Sequence, residues 1–107
     1  MASTAEVLVV DVRAVAKGYR LSTLMGTDVV NDRDEGIGTF EDLIIDKEDD
    51  TLFSVLQIGG FLGIAGRLIA IPFDRLELSE ADGSVRIILP GATREALKAL
   101  PAFEYRV

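Results

Sequence analysis

A chain of 107 residues with 49% apolar content has the size of one domain and enough hydrophobic material for a single core. It contains neither cysteine nor histidine, which removes disulfides, thiolate metal sites and imidazole acid/base chemistry, and leaves carboxylate or lysine chemistry formally open. The net charge of −7 is concentrated: residues 28–50 hold ten acids and two bases, a sum of −8, and the rest of the chain holds eight acids and nine bases, a sum of +1.

An acidic face of this kind repels nucleic acid, and no clustered basic stripe offsets it, so direct nucleic-acid binding is not expected. Aromatic residues make up only 7% and tryptophan is absent, so the core must come mainly from Leu, Ile and Val, which suits the interior of a narrow barrel. The first residues carry no secretion signal, and no apolar run approaches the ~20 residues that span a bilayer. The expected location is cytoplasmic.

In chain order, residues 6–16 alternate, with Leu8, Val10, Val12, Ala14 and Ala16 on one side and Asp11 and Arg13 among those on the other, which predicts a strand. Residues 21–26 (LSTLMG) read as one helical turn closed by Gly26, and 27–31 as a short second strand. A polar turn through Gly36 follows. Residues 37–46 predict a long strand whose alternation slips, because Leu43 and Ile45 share a face with Glu41 while Phe40 and Ile44 share one with Asp42; a bulge or burial on both faces near Asp42 reconciles the halves. After a charged turn at 47–51, residues 52–58 form a strand that is apolar on both faces except at Ser54 and Gln57, and so is expected at the centre of its sheet.

Residues 59–66 (GGFLGIAG) form a glycine-jointed loop carrying Phe61, Leu62 and Ile64, and a strand runs from Arg67 towards Pro72, which cannot donate to a ladder and so belongs at an edge. Leu76 and Leu78 are expected to pair with Val85, Ile87 and Leu89 across a hairpin turn marked by Asp82 and Gly83. Thr93 caps a short helix over 94–100, which Pro101 ends. About six short strands without a long helix predict an all-β fold, a small antiparallel barrel, closed or partly open, with a short C-terminal helix.

One order of features stands out: Gly36, Ile37, Gly38, Asp42, Leu43 and Asp46, then Gly59, Gly60, Phe61, Leu62, Gly63 and Gly66, then Ala70, Pro72 and Leu76, and last Leu97 and Pro101. This pattern resembles the PRC-barrel family, named after the cytoplasmic domain of the H subunit of the purple bacterial photosynthetic reaction centre, and covers residues 21–105. The resemblance implies a partly open six-stranded barrel over 21–107, preceded by a strand extension over 1–20 that covers an edge or exchanges between subunits. It also implies a bacterial, non-enzymatic adaptor that binds protein and forms a homodimer. A membrane protein is open as a partner, without insertion of this chain.

The interaction candidates are Phe61, Leu62, Ile64 and Arg67, with Gly36, Gly38, Asp42, Gly59, Gly60, Gly63, Gly66 and Pro72 as the structural motif. The apolar loop has two readings, a plug folded over the barrel end or an exposed surface for a second subunit or partner. No catalytic residue, cofactor or metal is expected. Gly36 does sit sixth in a twelve-residue loop from Asn31, but Arg33 takes the third ligand position of a calcium loop and Asp42 replaces the bidentate glutamate at the twelfth. The glycine loop lacks the lysine and following helix of a phosphate-binding loop. Glu41 and Asp42, adjacent on a strand, should point to opposite faces and not converge. The alternative function is ribosome or RNA maturation through a basic ribosomal protein docked on residues 28–50.

Overall fold

The structure, a computed structural model, describes residues 7–59 and 66–106. Two short helices, α1 (Val12–Ala16) and α2 (Leu21–Leu24), precede strands β1 (Asp28–Val30), β2 (Gly36–Ile45), β3 (Leu52–Ile58) and β4 (Arg67–Pro72). A 3₁₀ turn, Phe73–Arg75, leads to β5 (Glu77–Ala81) and β6 (Ser84–Ile88), and α3 (Arg94–Lys98) follows. The six strands form one sheet in the order β4-β3-β2-β1-β6-β5. Among the described residues it does not close, since β4 and β5 remain its two edges.

The six-stranded, partly open barrel with a C-terminal helix is therefore present, but the expected purely antiparallel sheet is not. β1 runs antiparallel to β2 and parallel to β6, with Val29 opposite Ile87 and Val30 opposite Ile88. Periodicity marks β1 as a strand without naming its neighbour, and the parallel partner arrives only after β2 to β5 have been laid down.

A second correction concerns the N-terminus. Residues 12–16, expected within a strand extension, form α1. The Asp11 carboxylate accepts from the amides of Arg13 and Ala14 at 3.0 and 3.4 Å, which satisfies donors that a helix start leaves open. No sheet edge pairs with this segment. Along β4 the amide of Phe103 reaches the carbonyl of Leu68 at 2.7 Å, and beside β5 the Tyr19 hydroxyl donates to the carbonyl of Leu78 at 3.2 Å.

The slip in β2 is a bulge: the register with β3 shifts between Phe40 and Asp42. A second shift, opposite Val29 and Val30, lies near Ile37. Each resets the in/out alternation by one residue, so that Ile37 and Phe40, three apart in sequence, both enter the core. Phe40 and Leu56 lie opposite each other in the register and are fully buried with Val29, Ile69 and Ile87. Leu24 of α2 and Leu97 of α3 complete that cluster from outside the sheet.

β3 lies between β2 and β4, as expected of its two-sided apolar pattern. Ser54, Val55 and Leu56 are all inaccessible, and the Ser54 hydroxyl has no hydrogen-bond partner. Gly38 sits where a side chain could not: a Cβ there would lie 2.8 Å from the Gln57 carbonyl oxygen and 3.1 Å from Cγ2 of Ile58. Asp82 and Gly83 take positive φ angles of 52° and 77°, as a two-residue hairpin turn needs to match strand twist. Pro72 ends β4 at the sheet edge.

Candidate interaction surface

The glycine loop places Gly60, Phe61, Leu62, Gly63 and Ile64 outside the described residues. Its two ends are described. Gly59 leaves β3 with a φ of 75°, and Gly66 leads into Arg67 at the start of β4. Arg67 is exposed, and its guanidinium is held by backbone carbonyls of the C-terminal segment. Its Nη1 donates to the Lys98 carbonyl at 2.6 Å and its Nη2 to the Leu100 carbonyl at 2.5 Å. A planar guanidinium can hold two acceptors at once, and here it caps the carbonyls that α3 leaves open at its C-terminal end.

Asp42 accepts from the backbone amide of Leu43 at 2.8 Å, which fixes the strand just past the bulge. It also lies beside Tyr105. The phenol is pushed up to about 12, first by partial burial and then by the carboxylates of Asp42, which also bonds to it, and of Glu41. Phe103 packs edge-to-face on Tyr105 at 5.1 Å between ring centres, so the C-terminal tail runs from the β4 edge to β2.

The acidic turns use their carboxylates on their own backbone. Asn31, almost fully buried, accepts from the amides of Arg33 and Glu35 at 2.9 and 3.0 Å and donates to Glu35 Oε1 and the Ala92 carbonyl at 3.1 and 3.0 Å. All four bonds an amide side chain readily makes are present. Asp32 accepts from the Gly91 amide at 2.9 Å, and this bond, with that to its own amide, holds its carboxyl below the usual range. Asp34 pairs with Arg86, while Arg94 donates to the Gly36 carbonyl at 2.9 Å. The turn between β1 and β2 thus clasps the segment leading into α3. The sequence shows Asn31 only as the start of a loop that fails as a calcium site and does not announce this role; an Asn opening a turn rich in Asp and Gly is the signal that points to it.

In the next turn Asp46 accepts from Glu48 and Asp49 amides at 2.8 and 3.2 Å. The amide and hydroxyl of Thr51 lower the Asp49 carboxyl. Among the described residues no three acidic side chains gather as a metal site would require. Among the described residues an open cleft lies beside Asp74, Arg75, Glu77 and Pro90, with charges of both signs in its lining.

Exposed apolar side chains are concentrated elsewhere. Val7, Leu8, Val9, Val10, Val12 and Val15 are each between 61% and 76% exposed, and Tyr19, Leu21 and Met25 continue the patch at 41–46%. The sequence pattern placed these side chains in a strand that covers an edge or exchanges between subunits, and from Val12 to Ala16 they stand on a helix instead.

The mixed sheet, its bulged second strand and the glycine-flanked edge strand fall inside the segment, residues 16–93, that matches the family model of the PRC-barrel domain. The chain belongs to the PRC-barrel family. A search of curated proteins finds no match to it. The exposed valines lie almost wholly before the matched PRC-barrel segment, whereas the Asn31 clasp and Arg67 are within it. No helix among the described residues of this PRC-barrel protein is long and apolar enough to cross a membrane.

Proposed function

We propose that this PRC-barrel protein is a non-enzymatic interaction module, an adaptor that binds other protein chains through apolar surface outside its barrel core. The observation that carries this reading is the run of six strongly exposed aliphatic side chains between Val7 and Val15, beside turns in which Asp32, Asp46 and Asp49 accept from backbone amides. Apolar patches of this size on a folded domain favour a partner over water. The glycine loop, with Phe61, Leu62 and Ile64, offers a second apolar surface by its sequence.

Capture from native cell extract tests the adaptor reading, with tagged wild type beside Phe61→Asp and Val12→Asp, before and after nuclease treatment. A protein retained through nuclease and lost with either substitution is the expected result. Recovery of nuclease-sensitive ribosomal components alone would replace this reading with ribosome maturation.

A further inference from the structure

β3 is buried on both faces, and two different parts of the molecule bury it. Leu56 faces the core with Phe40 and Ile69, while Val55, its neighbour and equally inaccessible, points the other way, in one row with Asp42 on β2 and Ala70 on β4. The C-terminal tail lies over that row. The Phe103 amide donates to the Leu68 carbonyl on β4 at 2.7 Å, Tyr105 sits beside the carboxylates of Asp42 and Glu41 on β2, and the two rings pack edge-to-face. Residues 101–106 are thus a strap across the outer face of β4, β3 and β2.

The strap is separate from the helix before it. Leu97 is buried in the core and Arg67 holds the carbonyls of Lys98 and Leu100, so firm anchorage ends one residue before Pro101. Beyond Pro101, among the described residues, a single backbone bond ties the tail to the sheet, and Tyr105 is 47% exposed. The strap is also smaller than the face it crosses. In the next row Ile44 and Phe53 are only half-buried and Pro72 is exposed. Apolar side chains left partly uncovered on the outside of a sheet favour a larger occupant.

We propose that this face is a peptide-binding groove in which the tail is a built-in competitor, displaced by an extended segment of a partner protein that carries an aromatic residue and, two positions on, Lys or Arg. The inference rests on the interaction-module reading and adds a site to it. The tail itself shows the first requirement. Phe103 and Tyr105, two apart, fall on one side of an extended chain, and a backbone donor meets the edge strand, as in recognition of extended peptides by sheets. The carboxylates give the second requirement. Among the described residues neither Glu41 nor Asp42 forms an ion pair, and the tail brings them a neutral phenol preceded by Glu104. An ammonium or guanidinium in the place of that phenol makes a charge-assisted bond instead of a neutral one.

Fluorescence polarisation tests the groove, with labelled, end-blocked hexapeptides of residues 101–106 as probes: the native sequence, Tyr105→Arg and Tyr105→Glu. Each is titrated with the full wild-type chain and with the full chain opened by Phe103→Ala and Tyr105→Ala together. The opened chain should bind the Tyr105→Arg peptide about tenfold or more tighter than the Tyr105→Glu peptide, and wild type should bind the Tyr105→Arg peptide about tenfold or more weaker than the opened chain does. Circular dichroism checks that the opened chain keeps its sheet. Wild type gives a second readout that no folding defect touches: its Phe103 amide should exchange hydrogen by a local opening, well ahead of the β3 amides, and saturating Tyr105→Arg peptide should speed that exchange. A folded, opened chain that binds none of the peptides, equal affinity for the Tyr105→Arg and Tyr105→Glu peptides, or a Phe103 amide that exchanges only together with β3 would overturn the proposal. Such a result removes the groove and leaves the adaptor reading to the extract capture, which probes Val12 and Phe61 instead.

Discussion

The two ends of this chain are built from similar parts and have opposite fates. Each has a five-residue helix opened by a side-chain cap, Asp11 for α1 and Thr93 for α3, whose hydroxyl accepts from the Ala96 amide at 3.0 Å. The C-terminal segment sinks Leu97 into the core, takes both arms of Arg67 on its terminal carbonyls, adds Phe103 to the β4 edge and sets Tyr105 beside Asp42. Among the described residues of the N-terminal segment up to α2, it is the partly exposed Tyr19, beyond α1, that bonds the sheet, through its hydroxyl. Capping thus decides where a helix begins but not where it sits. What places a short helix is one buried leucine and a donor fork that meets its last carbonyls.

The contrast can be broken most forcefully at Leu97. Leu97→Ala should cost about 2–5 kcal/mol, the usual range for truncating a buried leucine, measured by urea unfolding. A loss below about 1 kcal/mol would mean that α3 is no better anchored than α1. Arg67→Ala should come next, at roughly 1.5–3 kcal/mol for its charge-assisted bonds, with the lower part of that range favoured because the residue is exposed. Hydrogen exchange would sharpen this, since protection should fall in residues 94–106 and stay unchanged in β1 and β6.

Tyr105 gives a smaller, pH-dependent handle. Its folded pKa is raised above that of the free phenol, so the fold favours the protonated form; the contribution is fully present below pH 10 and is lost as pH rises through about 12. Difference spectra against Tyr105→Phe should show one phenol titrating near that upper value, and the variant should lose the alkaline dependence of tail protection. The smallest effect belongs to α1. Val12→Ser, at a side chain exposed to solvent, should shift the unfolding free energy by less than about 0.5 kcal/mol in the same urea unfolding measurement, as for surface changes away from packed groups.

Most of the sheet was legible from residues alone because each strand advertises itself locally. The slip at Asp42 announced the bulge, Asp82-Gly83 the tight hairpin, and the two-sided apolar run of β3 its interior position. Partner choice was not legible. Nothing in Asp28–Val30 distinguishes a strand that pairs only with its hairpin neighbour from one that also meets β6 in parallel. The N-terminal segment misled for a different reason: alternation over 6–16 is the period of a strand, and the Asp11 carboxylate, which accepts from the Arg13 and Ala14 amides, opens a helix there instead. Of the site, the role of Arg67 escaped because its acceptors lie far along the chain, on Lys98 and Leu100.

β1 has a consequence for how the molecule assembles. On one side of it stand β2, β3 and β4, each antiparallel to its neighbour, and on the other the hairpin of β5 and β6; contacts within each half are close in sequence. In the sheet the halves are joined through the three residues of β1, where Val29 and Val30 must find Ile87 and Ile88 across most of the chain. Closing a long loop is costly before its contacts form, so this seam sets the pace of folding. The slow step is a search by a very short strand for a distant hairpin, and speed would come from stiffening the path between them rather than from a greasier core.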